Sequence, residues 1–120
     1  MIHVYNRKAE THHTNNFYIG RGSPLGNPYT HITDKKTKAI YQAKDRDDAI
    51  DKYSHYFDLM YGSNLVFTSA IDKIYELYKT GEDVYLECYC KPERCHGDVI
   101  KEKLESRLLK EKIQEMMKKR

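Results

Sequence analysis

The chain contains no apolar run near the roughly 20 residues that a membrane-spanning helix requires, and its mean hydropathy is −0.85. A helical membrane protein is therefore excluded. The opening residues, Met1 to Tyr5 followed by Asn6-Arg7-Lys8, hold neither the charged leader nor the small-residue cleavage site of a secretory signal. Cysteine is scarce, with three residues, an odd number that closes no disulfide framework. A reducing cytoplasm is the expected compartment. Charge of one sign is scarce too, because 21 basic residues against 18 acidic ones leave only +3.

What is present fits one small domain: 120 residues leave little room for a second core. Eleven tyrosines supply much of the apolar bulk, and each brings a polar tip that favours a core with wet edges. The positive charge is local. Residues 101–120 carry eight basic and four acidic side chains, whereas residues 1–100 carry thirteen and fourteen, so the tail holds +4 and the body −1. Nucleic-acid binding would call for a basic stripe on the body, interleaved with aromatics, so it is only weakly supported.

Residues 2–5 and 16–19 are short β-branched or aromatic runs that read as strands. Residues 20–28 then pack three glycines and two prolines into an ordered loop. The Lys- and Thr-rich stretch 30–44 reads as a hairpin or a surface excursion. From Asp45 or Asp47, Ala49, Ile50, Tyr53, Tyr56, Phe57 and Met60 recur at helical steps, with Gly62 as the stop. Ser63 or Asn64 is placed to cap a second helix, with Phe67, Ile71, Ile74, Tyr75 and Tyr78 on one stripe and Gly81 at its end. Residues 83–89 read as a core strand, and a last helix runs from about Gly97 to Lys118. This order predicts an α/β fold: a small single domain with a mostly parallel sheet flanked by helices, ending in a long C-terminal helix. The expected division is a core over residues 1–103 and a basic amphipathic extension over 104–120. That extension carries more apolar side chains than its end of the body can bury, so a homo-oligomer through the C-terminal helix is expected; a fraying charged helix end is the plainer alternative.

Two loops carry the chemistry. In parallel sheets ligands sit outside the carboxyl ends of the strands, where unpaired N–H groups point outward. The first loop, Tyr18-Ile19-Gly20-Arg21-Gly22-Ser23-Pro24-Leu25-Gly26-Asn27-Pro28, offers glycines for close backbone approach, Arg21 for an anion, and Ser23 and Asn27 as polar groups. It matches neither the phosphate-binding Gly-Lys-Ser/Thr loop nor the dinucleotide fingerprint. A rigid turn with Arg21 facing water is the structural alternative. The second loop runs from Cys88 through Tyr89, Cys90, Lys91, Pro92, Glu93 and Arg94 to Cys95, His96, Gly97 and Asp98.

Four readings of this second loop stand side by side. Cys88, Cys90, Cys95 and His96 make up a zinc inventory, although Cys-x-Cys on a strand and adjacent Cys-His are poor knuckle spacings. Cys95 at a helix start, beside His96, is a candidate nucleophile with His96 as acid or base. Cys95 and His96 are alternatively polar wall residues that hold a ligand or the Gly-rich loop in place without turnover, with Asp98 hydrogen-bonding nearby. Lastly, the thiols are simply buried as small hydrophobes while His96 caps the helix. His12, His13, His31 and His55 read as solvated or internally satisfied.

The two motifs in this order resemble the small bacterial and phage proteins grouped as domain of unknown function family 4326, and the likeness covers most of residues 2–103. What it implies is a small α/β fold, a frequent phage setting, and a shared pocket built from Gly20, Arg21, Gly22, Gly26, Asn27, Cys88, Cys90, Cys95 and His96. The resemblance brings no established activity. The expected function is therefore binding of a small anionic, nucleotide-derived ligand in a cleft between the loops, for sequestration, sensing or processing. Tyr18, Tyr29 or Tyr89 would stack on a ring, and no cofactor is required. A cysteine-dependent hydrolase or transferase acting on a nucleotide or modified base is one alternative. A zinc-stabilised module binding protein or nucleic acid is another.

Overall fold

The computed structural model describes residues 1–9, 13–30, 41–89, 91 and 93–118. Strands β1 (Ile2–Asn6), β2 (Asn16–Tyr18) and β5 (Val84–Cys88) form one sheet in the order β1-β5-β2, and both pairings are parallel. The expected core strand is thus the central one. Its alternation explains the layering: Val84, Leu86 and Cys88 are buried, while Tyr85 and Glu87 lie on the other face. Ile2, Ile19 and the β5 triplet join one core with side chains from all three helices. The helices cover that face. The opposite face carries His3, Tyr5, Tyr85 and Glu87, and the His13 ring stacks on Tyr85 at 3.7 Å.

Helix α1 (Arg46–Met60) starts where Asp45 accepts the Asp48 N–H, and it buries Ala49, Ile50, Tyr53 and Phe57. Gly62, at φ +89°, turns the chain out of it. Asn64 caps α2 (Leu65–Lys79) by accepting the Phe67 N–H at 2.9 Å. That helix closes with Gly81 N–H on Tyr78 O and Glu82 N–H on Leu77 O, the paired bonds of a left-handed C-terminal cap. Helix α3 (His96–Lys118) is continuous through the expected boundary at 103/104. Leu104 belongs to the core, and Arg107 and Glu111 still bond to the body, so the extension begins about two turns later than expected.

The stretch read as a hairpin or excursion differs from a hairpin at its ends. Strands β3 (Tyr29–Thr30) and β4 (Tyr41–Gln42) pair in parallel, whereas a hairpin needs antiparallel partners. Residues 31–40, including His31, lie outside the described residues, as do His12, Cys90 and Pro92. No described helix is long and apolar enough to cross a membrane.

Candidate functional site at the carboxyl edge of the sheet

All three strands of the sheet end on the same side, and both loops begin there. The Gly-rich loop folds back on itself: Ser23 N–H and Ser23 Oγ both donate to Gly20 O, at 3.1 and 2.7 Å, and Gly26 N–H donates to Ser23 O. A Cβ at position 26 would lie 2.8 Å from Gly20 O and 2.9 Å from Arg21 Cα, both backbone atoms, so only glycine fits. At Gly20 the Tyr18 ring occupies the space a side chain would need, and the Tyr18 hydroxyl donates to Arg21 O at 3.0 Å. Gly22 sits at φ +97° on the exposed rim.

Several side chains lock this loop to the body. Tyr53 donates its hydroxyl to Leu25 O at 2.7 Å. Asn27, which is buried, donates from Nδ2 to Ala49 O on α1 and accepts the Tyr29 N–H on Oδ1. Arg21 donates from Nε to Asn27 O at 3.1 Å and from Nη2 to Tyr29 O at 2.7 Å. Two residues expected to read a ligand therefore shape the loop first. Polar side chains in a Gly-Pro-rich sequence suit either role equally, and only the acceptors in space distinguish them.

The Cys-His loop is held just as firmly. Asn6, at the end of β1, donates from Nδ2 to Tyr89 O and to Lys91 O, at 3.1 and 2.7 Å. Asp98 accepts the Cys95 N–H at 3.0 Å, as a capping-box carboxylate does, and takes a two-pronged bond from Lys91 Nζ at 2.7 and 2.8 Å. Burial alone would lower the Lys91 ammonium's pKa, but the Asp98 carboxylate outweighs it and the net shift is upward. Gly97 lets this first turn press on the sheet: a Cβ there would meet Ile19 Cδ1 at 2.7 Å and Val4 Cγ1 at 2.8 Å.

Cys88 and Cys95 lie in contact beneath that turn, Sγ to Sγ 3.5 Å, each 1% exposed. The Cys95 thiol donates to Cys88, and that bond together with burial pushes its pKa up. A cysteine nucleophile needs the opposite shift. His96 is buried as well. Its Nε2 bonds to Ile19 O, and its ring meets Tyr53 edge-on at 5.0 Å. Burial, reinforced by the nearby Arg21 charge, holds its pKa down at about 4, so it is neutral at physiological pH and Nε2 carries the proton donated to Ile19 O. Cys95 and His96, the pair that only an enzyme reading would use, are thus a buried thiol and a buried imidazole bonded across the two loops. For the zinc alternative, no group of three or more ligating side chains exists among the described residues. His96 Nε2 is committed to Ile19 O, and Cys90 lies outside the described residues.

At the rim the structure adds a residue the sequence reading passed over. The Arg7 guanidinium stands 5.0 Å from the Tyr18 ring centre and 5.8 Å from that of Tyr89, and the two rings meet edge to face at 6.0 Å. Arg7 also lies 3.8 Å from Glu87. Nothing in the polar run after β1 singles this arginine out, since it reaches the site only because β1 neighbours β5. Tyr29, expected as another stacking ring, lies near the Lys52 ammonium at 5.9 Å.

A family model described as Domain of unknown function (DUF4326) matches residues 2–106. No curated protein and no solved structure matches the chain significantly. With the sheet, both loops and the first turns of α3 all inside the matched span, the chain belongs to the DUF4326 family.

Proposed function

We propose that the carboxyl edge of the sheet binds a small anionic, nucleotide-derived ligand, lying over residues 20–23 and against Tyr18 and Tyr89. The observation that carries this reading is the Arg7–Tyr18–Tyr89 group beside the Gly-rich loop: a guanidinium against two ring faces offers charge for a phosphate next to a surface for a planar ring. Gly22, exposed and at φ +97°, forms the rim over which a phosphate would approach the backbone, while Ser23 holds the turn closed on Gly20 O. Arg21, Asn27 and His96 act in this reading as positioning residues that hold the loop in shape, and Cys88 and Cys95 as the floor beneath it. The role is sequestration or sensing. A raised Cys95 pKa and a neutral, bonded His96 give processing by a thiolate no support.

Calorimetric titration of the full chain with nucleoside monophosphates and diphosphates, with the parent nucleosides and inorganic phosphate as controls, tests the proposal. Nucleotides should bind and nucleosides should bind more weakly. Arg7→Ala should reduce affinity about tenfold, the value of one charge-assisted hydrogen bond, at unchanged melting temperature because Arg7 is half exposed. Absence of heat with every nucleotide, together with no retained ligand mass in native mass spectrometry, refutes it.

A further inference from the structure

Two of the chain's three cysteines meet, although they belong to different elements. Cys88 is the last residue of β5 and Cys95 the residue before α3, so two separately held elements deliver their sulfurs to one place. Both backbones are fixed. Cys88 is in register with Asn6 on β1, while Asp98 brackets Cys95: its carboxylate accepts the Cys95 N–H and its own N–H donates to Cys95 O, both at 3.0 Å. The sulfurs stand in van der Waals contact at 3.5 Å, about 1.5 Å beyond the length of a disulfide bond. Shared between two side chains, that gap is a movement of under about 1 Å each.

The start of α3, which lies over the pair, is fastened at its rim by charge. Lys91 Nζ holds both oxygens of Asp98, and Arg94 reaches across to Asp47 and Asp51 on α1 at 3.1 and 3.2 Å. Asp47 and Asp51 are 75% and 67% exposed, and ion pairs so open to water hold weakly. Lifting the start of α3 therefore breaks these pairs, the Asp98 cap and the Gly97 contact with the sheet, and leaves the β5 pairings intact. While it is shut, each thiol is 1% exposed, and burial with the Cys88 contact keeps Cys95 protonated. Neither sulfur then exchanges.

We propose that Cys88 and Cys95 are a redox-sensitive latch, oxidised by a small-molecule disulfide to a bond that fastens the start of α3 to the end of β5. One protein thiol, deprotonated when the start of α3 lifts, attacks the S–S bond of the oxidant, releases one thiol and leaves a mixed disulfide. The second protein thiol gives up its proton, attacks the protein sulfur of that mixed disulfide and releases the second thiol. Two electrons and two hydrogens pass to the oxidant, and one Sγ–Sγ bond is formed. The closed latch adds a covalent tie where salt-screened ion pairs held before. It lies beneath the ligand surface and asks nothing of what binds there, so it is independent of the ligand reading.

Refolding of the full chain from urea in glutathione redox buffers decides it, because both sulfurs meet the oxidant before they are buried. Cys90→Ser is the companion variant, in which Cys88 and Cys95 are the only thiols. Both proteins should lose the mass of two hydrogens, and trypsin, which cuts after Arg94, should release the Cys88 and Cys95 peptides joined. The disulfide should be favoured over the glutathione pool about tenfold or more in the folded chain relative to urea, and the crosslinked protein should melt about 5 °C or more above the reduced one. The two effects share a sign, since a fold that favours a crosslink is stabilised by it. Folded protein placed in the same buffers should reach the same ratio more slowly, and dithiothreitol should reverse it. No Cys88–Cys95 crosslink in Cys90→Ser at any ratio overturns the inference, as does a wild-type linkage that runs through Cys90 or a crosslinked protein that melts no higher than the reduced one. A folded protein that never exchanges overturns the latch as a switch.

Discussion

His96 should make the fold sensitive to mild acid, and the size of the effect follows from its surroundings. The imidazole is buried and neutral, with a pKa lowered from 6.5 to about 4. In the unfolded chain it takes up a proton near its ordinary pKa, so between those two values the unfolded state holds more protons than the native one. Stability is therefore complete above about pH 6.5 and falls as the pH drops towards 4. Between about pH 7.5 and about pH 4.5 one such group removes about 2–3 kcal/mol. That is a large part of the stability of a small domain. The assay is urea unfolding at a series of pH values, comparing the wild type with His96→Gln, which keeps an N–H for Ile19 O but carries no titratable charge. The variant should start lower, because its amide fills the site less well, and its stability should vary much less over the same interval. Asp48, Asp83 and Glu111, whose pKa values are lowered by their hydrogen bonds, titrate in both proteins and cancel in the comparison. Identical pH dependence in the two proteins, or a His96 ring signal titrating near 6.5 by NMR, would falsify the assignment of His96 as a buried neutral fastener.

Two further predictions concern the loops. Gly26→Ala should destabilise the fold by about 1–3 kcal/mol, the usual cost of overpacking, because the added methyl meets backbone at Gly20 and Arg21 that no side-chain rotation can move; thermal unfolding measures this, and an unchanged melting temperature contradicts the loop geometry. Asp98→Ala removes both the cap on Cys95 N–H and the partner of Lys91, at a cost of about 1–2 kcal/mol. It should also expose the buried thiol: Cys95 of the wild type should alkylate far more slowly than in urea at neutral pH, and the variant should alkylate faster. Rapid native alkylation of wild-type Cys95 would restore the nucleophile reading.

The secondary structure was legible in the sequence where the signal is local. The stripes of α1 and α2, their Gly62 and Gly81 stops, a start for α1 at Asp45 or Asp47 and a cap for α2 at Ser63 or Asn64 all lie within a few residues of what they control, so periodicity and turn chemistry locate them to within a residue or two. The two loops could be recognised for the same reason, since dense glycine, proline and cysteine mark the chain without reference to any distant partner. The length of α3 was legible as well, and so was the excess of apolar side chains at its end, although the point where the body lets go was not.

Tertiary structure alone decided what the residues in those loops do. Asn6 bonds to carbonyls 83 and 85 positions away, and His96 bonds to one 77 positions away, separations that no period or motif reports. Composition left Cys95 open to activation or burial. The parallel pairing that sets β1 and β2 on either side of β5 brings Ile19 and Gly97 together, presses the first turn of α3 onto the sheet, and leaves the thiol 1% exposed. The same pairing carries Arg7 to the Tyr18 and Tyr89 rings. A side chain's chemistry is written in the sequence, but its pKa and its partners depend on how much water remains around it, and that is settled only when the sheet closes.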